Sequence, residues 1–147
     1  MDWAAILAGG VVPARLLHEA RDHFQHLVDG VPNERTLFHG DFGANNLLSR
    51  DNQVVGVLDW DRAGYGDWLL DVAGAYYWRP HLPCMARAAE AYASRWAYLP
   101  RYRVRLQCYQ LRLTLEEIYA HALAGQGPWL AWHLQRCQDL LTDVRLG

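Results

Sequence analysis

A chain of 147 residues that is 52% hydrophobic, with seven Trp and eight Tyr, can bury a substantial core and is too apolar to stay disordered. Its net charge of −2 lacks the basic footprint of a nucleic-acid or anionic-membrane partner, and no apolar run is long enough to span a bilayer. All fourteen cationic residues are Arg, so this chain cannot itself supply chemistry that needs a lysine.

Cys84, Cys108 and Cys137 are odd in number and form no C-x-x-C pair. They suit buried thiols in a reducing compartment, not a disulfide frame or a zinc site. The start Met1-Asp2-Trp3-Ala4 is acidic where a signal peptide is basic, so the expected location is the cytoplasm.

From Pro13 to Val28, the residues Leu16, Leu17, Ala20, Phe24, Leu27 and Val28 recur at helical spacing, with Pro13 suited to a first turn. His18, Asp22 and His26 share a face of that helix and read as a solvated polar face, since metal sites draw ligands from more than one element. Asp29-Gly30-Val31-Pro32-Asn33 closes the helix. Thr36–Phe38 reads as a short strand, and Leu47–Ser49 with Val54–Leu58 as a hairpin around Arg50-Asp51-Asn52-Gln53.

After Asp67 the chain reads as helical: Trp68–Trp78, Met85–Trp96, Arg101–Leu123 and Trp129–Val144. Arg79-Pro80 and Gly125-Gln126-Gly127-Pro128 act as breakers. The expected fold is mainly α with a small β-hairpin, an α+β class, in one domain spanning 1–147. Tyr76, Tyr77, Trp78, Trp129 and Trp132 read as core.

The chemistry concentrates in residues 36–71. Asp41 follows a strand in His39-Gly40-Asp41, and Asn46 lies five residues on. Asp59 ends the apolar run Val54-Val55-Gly56-Val57-Leu58, which puts its carboxylate at the same loop end. Mg²⁺ takes hard oxygen ligands from one or two carboxylates plus substrate phosphates. Asn46 and Asp59 then hold the metal, and Asp41 orients and deprotonates an attacking hydroxyl. His39 reads as a packed, hydrogen-bonded loop support. The letters Asp41-Phe42-Gly43 spell a kinase metal motif, but that motif belongs after a hairpin, where Asp59 stands. Asp59-Trp60-Asp61 is a weak phosphatase signal without the lysine, acidic pair and parallel sheet such chemistry needs.

His-Gly-Asp-x₄-Asn, followed by Leu-Asp-Trp and Gly-Asp-x₃-Asp-Val-Ala, resembles the C-terminal catalytic lobe of the aminoglycoside phosphotransferase family, relatives of the protein kinases. Tyr76 to Met85 and Leu113 to Tyr119 are most similar to its hygromycin B branch, and the resemblance runs over roughly 36–143. It implies a protein-kinase-like fold with Asp41 as catalytic base, Asn46 and Asp59 as metal ligands, and Asp71 as an acid bracing the loop backbone. Asp67 looks like the N-cap of the following helix. The role of Arg62 stays open.

The resemblance further implies Mg²⁺, ATP or GTP as co-substrate, and a polycationic small molecule carrying the phosphorylated hydroxyl, hence antibiotic resistance. Glu116 and Glu117 are candidate contacts for that polycation. They equally fit solvated i,i+4 pairs, Arg112 with Glu116 and Glu117 with His121. Kinases of choline, homoserine or fructosamine share the lobe, and an inert orphan lobe or truncated product is a third reading.

A kinase-like enzyme also needs a phosphate-covering glycine loop and a lysine. Gly64-Tyr65-Gly66 and Gly125-Gln126-Gly127 both lack the third glycine, and no lysine is present. The nucleotide-binding residues are therefore unknown, and an N-terminal lobe is expected to be absent, leaving the chain alone inactive or very weak. Apolar surface near Leu37, Phe42 and Leu58 is then expected to drive self-association.

Overall fold

The computed structural model describes residues 2–33, 35–125 and 127–145. Gln126, within the expected breaker, lies outside them. In chain order the elements are α1 (Trp3–Ala8), α2 (Ala14–Val28), β1 (Thr36–Phe38), a 3₁₀ turn (Ala44–Asn46), β2 (Leu47–Arg50) and β3 (Gln53–Val57). Then follow β4 (Gly64–Gly66), α3 (Leu69–Trp78), α4 (Pro83–Trp96), α5 (Tyr102–Ala124) and α6 (Gly127–Arg145). The chain is mostly helical with small antiparallel strand pairs, as expected. It forms two compact units, Val31–Tyr109 and Met1–Gly30 with Gln110–Gly147; α5 begins in the first and continues in the second.

Within Val31–Tyr109, β2 and β3 pair antiparallel, with Leu47 opposite Val57 and Arg50 opposite Gln53, and a bulge between Leu48 and Ser49. The turn is only Asp51-Asn52, both left-handed at φ 50° and 60°. Asp and Asn accept that conformation more readily than other side chains, and it matches the strand twist. The strands therefore reach further into the expected turn, and Leu58 falls beyond β3.

A second pair, β1 with β4, joins Thr36 to Gly66 and Phe38 to Gly64. The glycines make room for Phe38: a Cβ on Gly64 would stand 2.8 Å from its Cζ, and one on Gly66 3.2 Å from its Cε1. Leu69, Val72 and Ala73 of α3 bury against Tyr102 and Leu106 of α5. Ala75, Met85 and Ala89 join α3 to α4. Pro83 sits in the first turn of α4, where its missing N–H costs nothing, so that helix starts two residues before Met85.

In the other unit, α2 packs on α6. Leu16, Leu17, Ala20 and Leu27 are the buried side of α2, and Leu130, Cys137, Leu140 and Leu141 that of α6. Leu111, Leu115 and Ile118 supply the buried stripe of α5, each worth about 1.5–3 kcal/mol when fully removed from water. His18, Asp22 and His26 are exposed, as a solvated face requires.

Two expectations fail. Cys84 is exposed, while Cys108 and Cys137 are buried, because Cys84 lies in the first turn of α4 on its open side. Burial pushes the Cys137 thiol up to about 12, with the charge of Glu19 adding to it. Trp129 is not core either: at the start of α6 it stays 40% exposed, whereas Tyr77 is fully buried.

Candidate active site

The His39-Gly40-Asp41 loop leaves β1 and is held by one carboxylate. Asp71, in the first turn of α3, accepts the His39 N–H at Oδ2 and the Gly40 N–H at Oδ1, each at 2.7 Å. Bonds to a charged acceptor contribute about 1.5–3 kcal/mol each, so this is a stiff anchor. Because α3 carries Leu69, Val72 and Ala73 into the core, the loop takes its position from a packed helix.

His39 is buried, 2% exposed. Its Nε2 lies 2.8 Å from the Leu58 carbonyl oxygen, and its Nδ1 accepts the Asp41 N–H at 3.3 Å. The two bonds together select the tautomer with its proton on Nε2. Trp60 tilts against the imidazole with centroids 4.7 Å apart, and Phe42 meets it edge-on at 5.9 Å. The ring is thus a strut between the Asp41 loop and the segment that carries Asp59.

Asn46 is buried in the 3₁₀ turn. Its Nδ2 donates to the Asp41 carbonyl at 2.8 Å and lies 3.3 Å from Asp41 Oδ2, while its Oδ1 accepts from Asn45 Nδ2 at 3.2 Å. The Leu58 N–H donates to the Asn46 carbonyl at 2.8 Å. Leu58 is therefore clasped by both Asn46 and His39, which delivers Asp59, the next residue, to the loop that holds Asp41 and Asn46. Asp59 itself adopts φ 59°, and its side chain, like that of Asp41, is exposed.

Gly40 is required by its surroundings. Its φ is 85°, and a Cβ there would stand 2.2 Å from the Arg62 carbonyl oxygen. Gly40→Ala is expected to cost more than the roughly 1–2 kcal/mol of left-handed strain alone. Gly10→Ala serves as the control, since Gly10 has φ 69° with nothing within 4 Å. Thermal unfolding of the two variants should show the larger loss at Gly40, and equal losses would remove the Arg62 contact from the account.

Asp67 is not the N-cap expected of it: Trp68 holds that position, and Asp67, one residue before it, accepts the N–H of the first helical residue, Leu69, on Oδ1 at 3.0 Å. The same carboxylate is buried against Arg105, with Arg105 Nη2 2.6 Å from Oδ1 and Nε 2.7 Å from Oδ2. The Tyr109 hydroxyl also bonds to Asp67; burial above all, and then that charge, pushes its pKa up. Arg105 and Tyr109 were not among the residues expected to matter, because they meet Asp67 across some 40 positions of sequence.

Glu116 and Glu117 lie in the unit that does not contain Asp41. Arg112 Nε bonds Glu116 Oε1 at 2.9 Å. Glu117 Oε2 is 3.5 Å from His121 Nε2 and 3.8 Å from His133 Nε2. Both expected i,i+4 pairs therefore form. Burial, and then the neighbouring His121, pushes the His133 imidazole down to about 4.

Residues 3–106 match the family described as phosphotransferase enzyme family, APH. The chain belongs to that family. The match starts well before the expected resemblance at residue 36 and takes in the helical N-terminal segment. Among APH relatives, the chain is 32% identical over 123 residues to hygromycin-B 4-O-kinase of Escherichia coli, covering 84% of this chain and 36% of that protein. Acyl-CoA dehydrogenase family member 11 of Rattus norvegicus is 36% identical over 62 residues, 39% of this chain and 8% of its own length. The apo crystal structure of a thermostable mutant of aminoglycoside phosphotransferase APH(4)-Ia superposes with a TM-score of 0.85 at 30% identity, over 97% of this chain and 49% of that one. The APH fold here is the C-terminal part of that kinase-like structure. A ternary complex of the same relative with ADP and hygromycin B aligns at a TM-score of 0.84 and 29% identity, covering 96% of this chain and 48% of that one. The chain thus spans about a third of the curated relative and about half of the solved structures. No helix among the described residues is long and apolar enough to cross a membrane.

Proposed function

We propose that this chain is the catalytic lobe of an ATP-dependent phosphotransferase that moves the γ-phosphate to a hydroxyl of an aminoglycoside-type small molecule, as an intracellular resistance enzyme. The observation that carries the reading is the clasp of Leu58 by Asn46 and His39, which gathers Asp41, Asn46 and Asp59 on one loop cluster. Spacing supports it as well. The relative's ternary complexes include variants with an aspartate, or an asparagine four or five positions later, replaced by alanine. Asp41, Asn45 and Asn46 stand at the same intervals.

Residues that would hold Mg²⁺ fit the ion. The Asn46 amide is fixed by its bonds to Asp41, and the exposed Asp59 carboxylate offers a second hard oxygen. When bound, the ion neutralises charge on the phosphoryl oxygens in transfer. The protein's own part is positional. Asp41 accepts the proton of the substrate hydroxyl; Asn46 keeps the Asp41 carboxylate aimed; Asp71 and His39 hold the backbone beneath both. Substrate class rests on the relatives and not on Glu116 or Glu117, each of which faces a neighbour on its own helix.

A lysine and a glycine-rich phosphate loop are not among these 147 residues. With labelled ATP and hygromycin B, the purified chain is expected to transfer no phosphate. Joined to the nucleotide-binding half of the Escherichia coli relative, it is expected to do so. Transfer by the chain alone overturns the incompleteness; a folded fusion that transfers nothing overturns the phosphotransferase reading. Leu37, Val54, Val55, Leu58 and Tyr65 expose apolar surface on the strands and the loop after them. The isolated chain is therefore expected to self-associate with rising concentration in sedimentation, and a monomer at every concentration would refute this.

A further inference from the structure

Helices α5 and α6 bring three metal-ligating side chains to one point. Glu117 and His121 stand one turn apart on α5, and His133 comes from α6. Both imidazoles face the same oxygen, Glu117 Oε2, at 3.5 Å and 3.8 Å, and one ligand atom from each residue lies within 4.8 Å of the others. These separations are longer than a good hydrogen bond of about 2.7–3.2 Å. They approach the spacing of about 3.3–3.5 Å that two ligands take around one tetrahedral ion with bonds near 2.0–2.2 Å. The third pair of ligand atoms lies within 4.8 Å, so shifts of up to about 1.5 Å in the two partly exposed side chains bring all three onto one ion.

The surroundings suit an ion as well. His133 is fully buried, and its ring stacks on His121 with centroids 4.8 Å apart at 21°. Trp132 meets His133 edge-on at 5.0 Å, and Trp129 stacks beyond at 6.2 Å, giving the ligands an apolar wall. Such a wall limits solvent access and lowers the dielectric around the ligand atoms. Glu117 and His121 keep side-chain exposures of 26% and 19%, leaving a route for an ion from solvent.

We propose that Glu117, His121 and His133 form a binding site for one zinc-type divalent transition metal, bridging α5 and α6. Two imidazoles and a carboxylate favour Zn²⁺, Co²⁺ or Ni²⁺ over the hard-oxygen ion of phosphoryl transfer. Three protein ligands leave a position for water, and the ion ties α5 to α6. The site needs none of the residues assigned to phosphoryl transfer, so it stands or falls separately from that function.

The 147-residue chain, stripped with EDTA, would be titrated with ZnCl₂ against a chromogenic chelator and loaded in parallel with Co²⁺. One equivalent per chain is expected. The Co²⁺ form should show visible d–d bands without thiolate charge transfer, and melting should rise with Zn²⁺ as binding to the folded state requires. Glu117→Gln and His121→Gln, both partly exposed, should each weaken binding by more than about tenfold, since losing even a partner of a ligand costs about 10–100-fold. Cys84→Ser and Asp59→Asn should leave it unchanged. A thiolate band, binding lost in Cys84→Ser or Asp59→Asn, or binding retained in His121→Gln would each overturn the site.

Discussion

Replacing Asp41 with asparagine is expected to lower kcat of the lobe-completed enzyme by about 10²–10⁴-fold, with KM for nucleotide little changed. Asparagine keeps the size and the loop hydrogen bonds of Asp41 but cannot take a proton. The Asp41 N–H would still donate to His39 Nδ1, and its carbonyl would still accept from Asn46 Nδ2. The loss therefore falls on the chemical step. Asn46→Ala is expected to behave differently, because it removes the amide that bonds Asp41 and, on the proposed function, a ligand of the ion as well. Its defect should be partly relieved by raised Mg²⁺, whereas that of Asp41→Asn should not. Steady-state kinetics across a Mg²⁺ series separates the two, and an Asp41→Asn enzyme within about threefold of the parent would remove Asp41 as base.

Asp67→Ala is expected to be the most destabilising single change in the Val31–Tyr109 unit. Asp67 and Arg105 retain 1% and 3% side-chain exposure, and truncating the acid leaves the guanidinium buried without its countercharge. Breaking such a pair costs about 3–5 kcal/mol, or roughly 6–20 °C in Tm for a chain of this size. The Leu69 N–H and the Tyr109 hydroxyl lose their acceptor in the same step. Pairing Asp67→Ala with Arg105→Met removes both charges and should recover part of the loss. Thermal unfolding by circular dichroism decides it: a double variant no more stable than Asp67→Ala would mean that the charge pair is not what matters.

The loop that carries Asp41 and Asn46 was legible as a polar loop because its residues are close in sequence and it follows a short strand. Helices were legible where one apolar face persists, as in α2, whereas α5 buries polar Arg105, Gln110 and Thr114 as well as its apolar residues. What escaped was set by distant partners. Strand β4 was not expected, since two of its three residues are glycines, and the Phe38 ring lying over them explains why glycines belong there. The start of α6 was placed two residues late because Pro128 reads as a breaker, although a first turn accepts it. Asp67 was legible as an acid just ahead of α3, but Arg105 and Tyr109 are about 40 positions away. His133 gave no periodic signal at all: it becomes notable only when α6 lies beside the Glu117–His121 turn of α5.

Asp59 has a consequence for which substitutions its position can accept. At φ 59° the backbone already discriminates among side chains, admitting Gly, Asn and Asp and penalising β-branched residues. A saturation library scored for folding should thus retain three residues there, while the same library scored for turnover should retain one. The gap between the two scores measures the carboxylate's chemical contribution free of its conformational one. Glutamate, the nearest match in charge, should fall short on both scales: it meets the left-handed penalty, and its extra methylene carries the carboxylate past the point to which the Leu58 clasp delivers it.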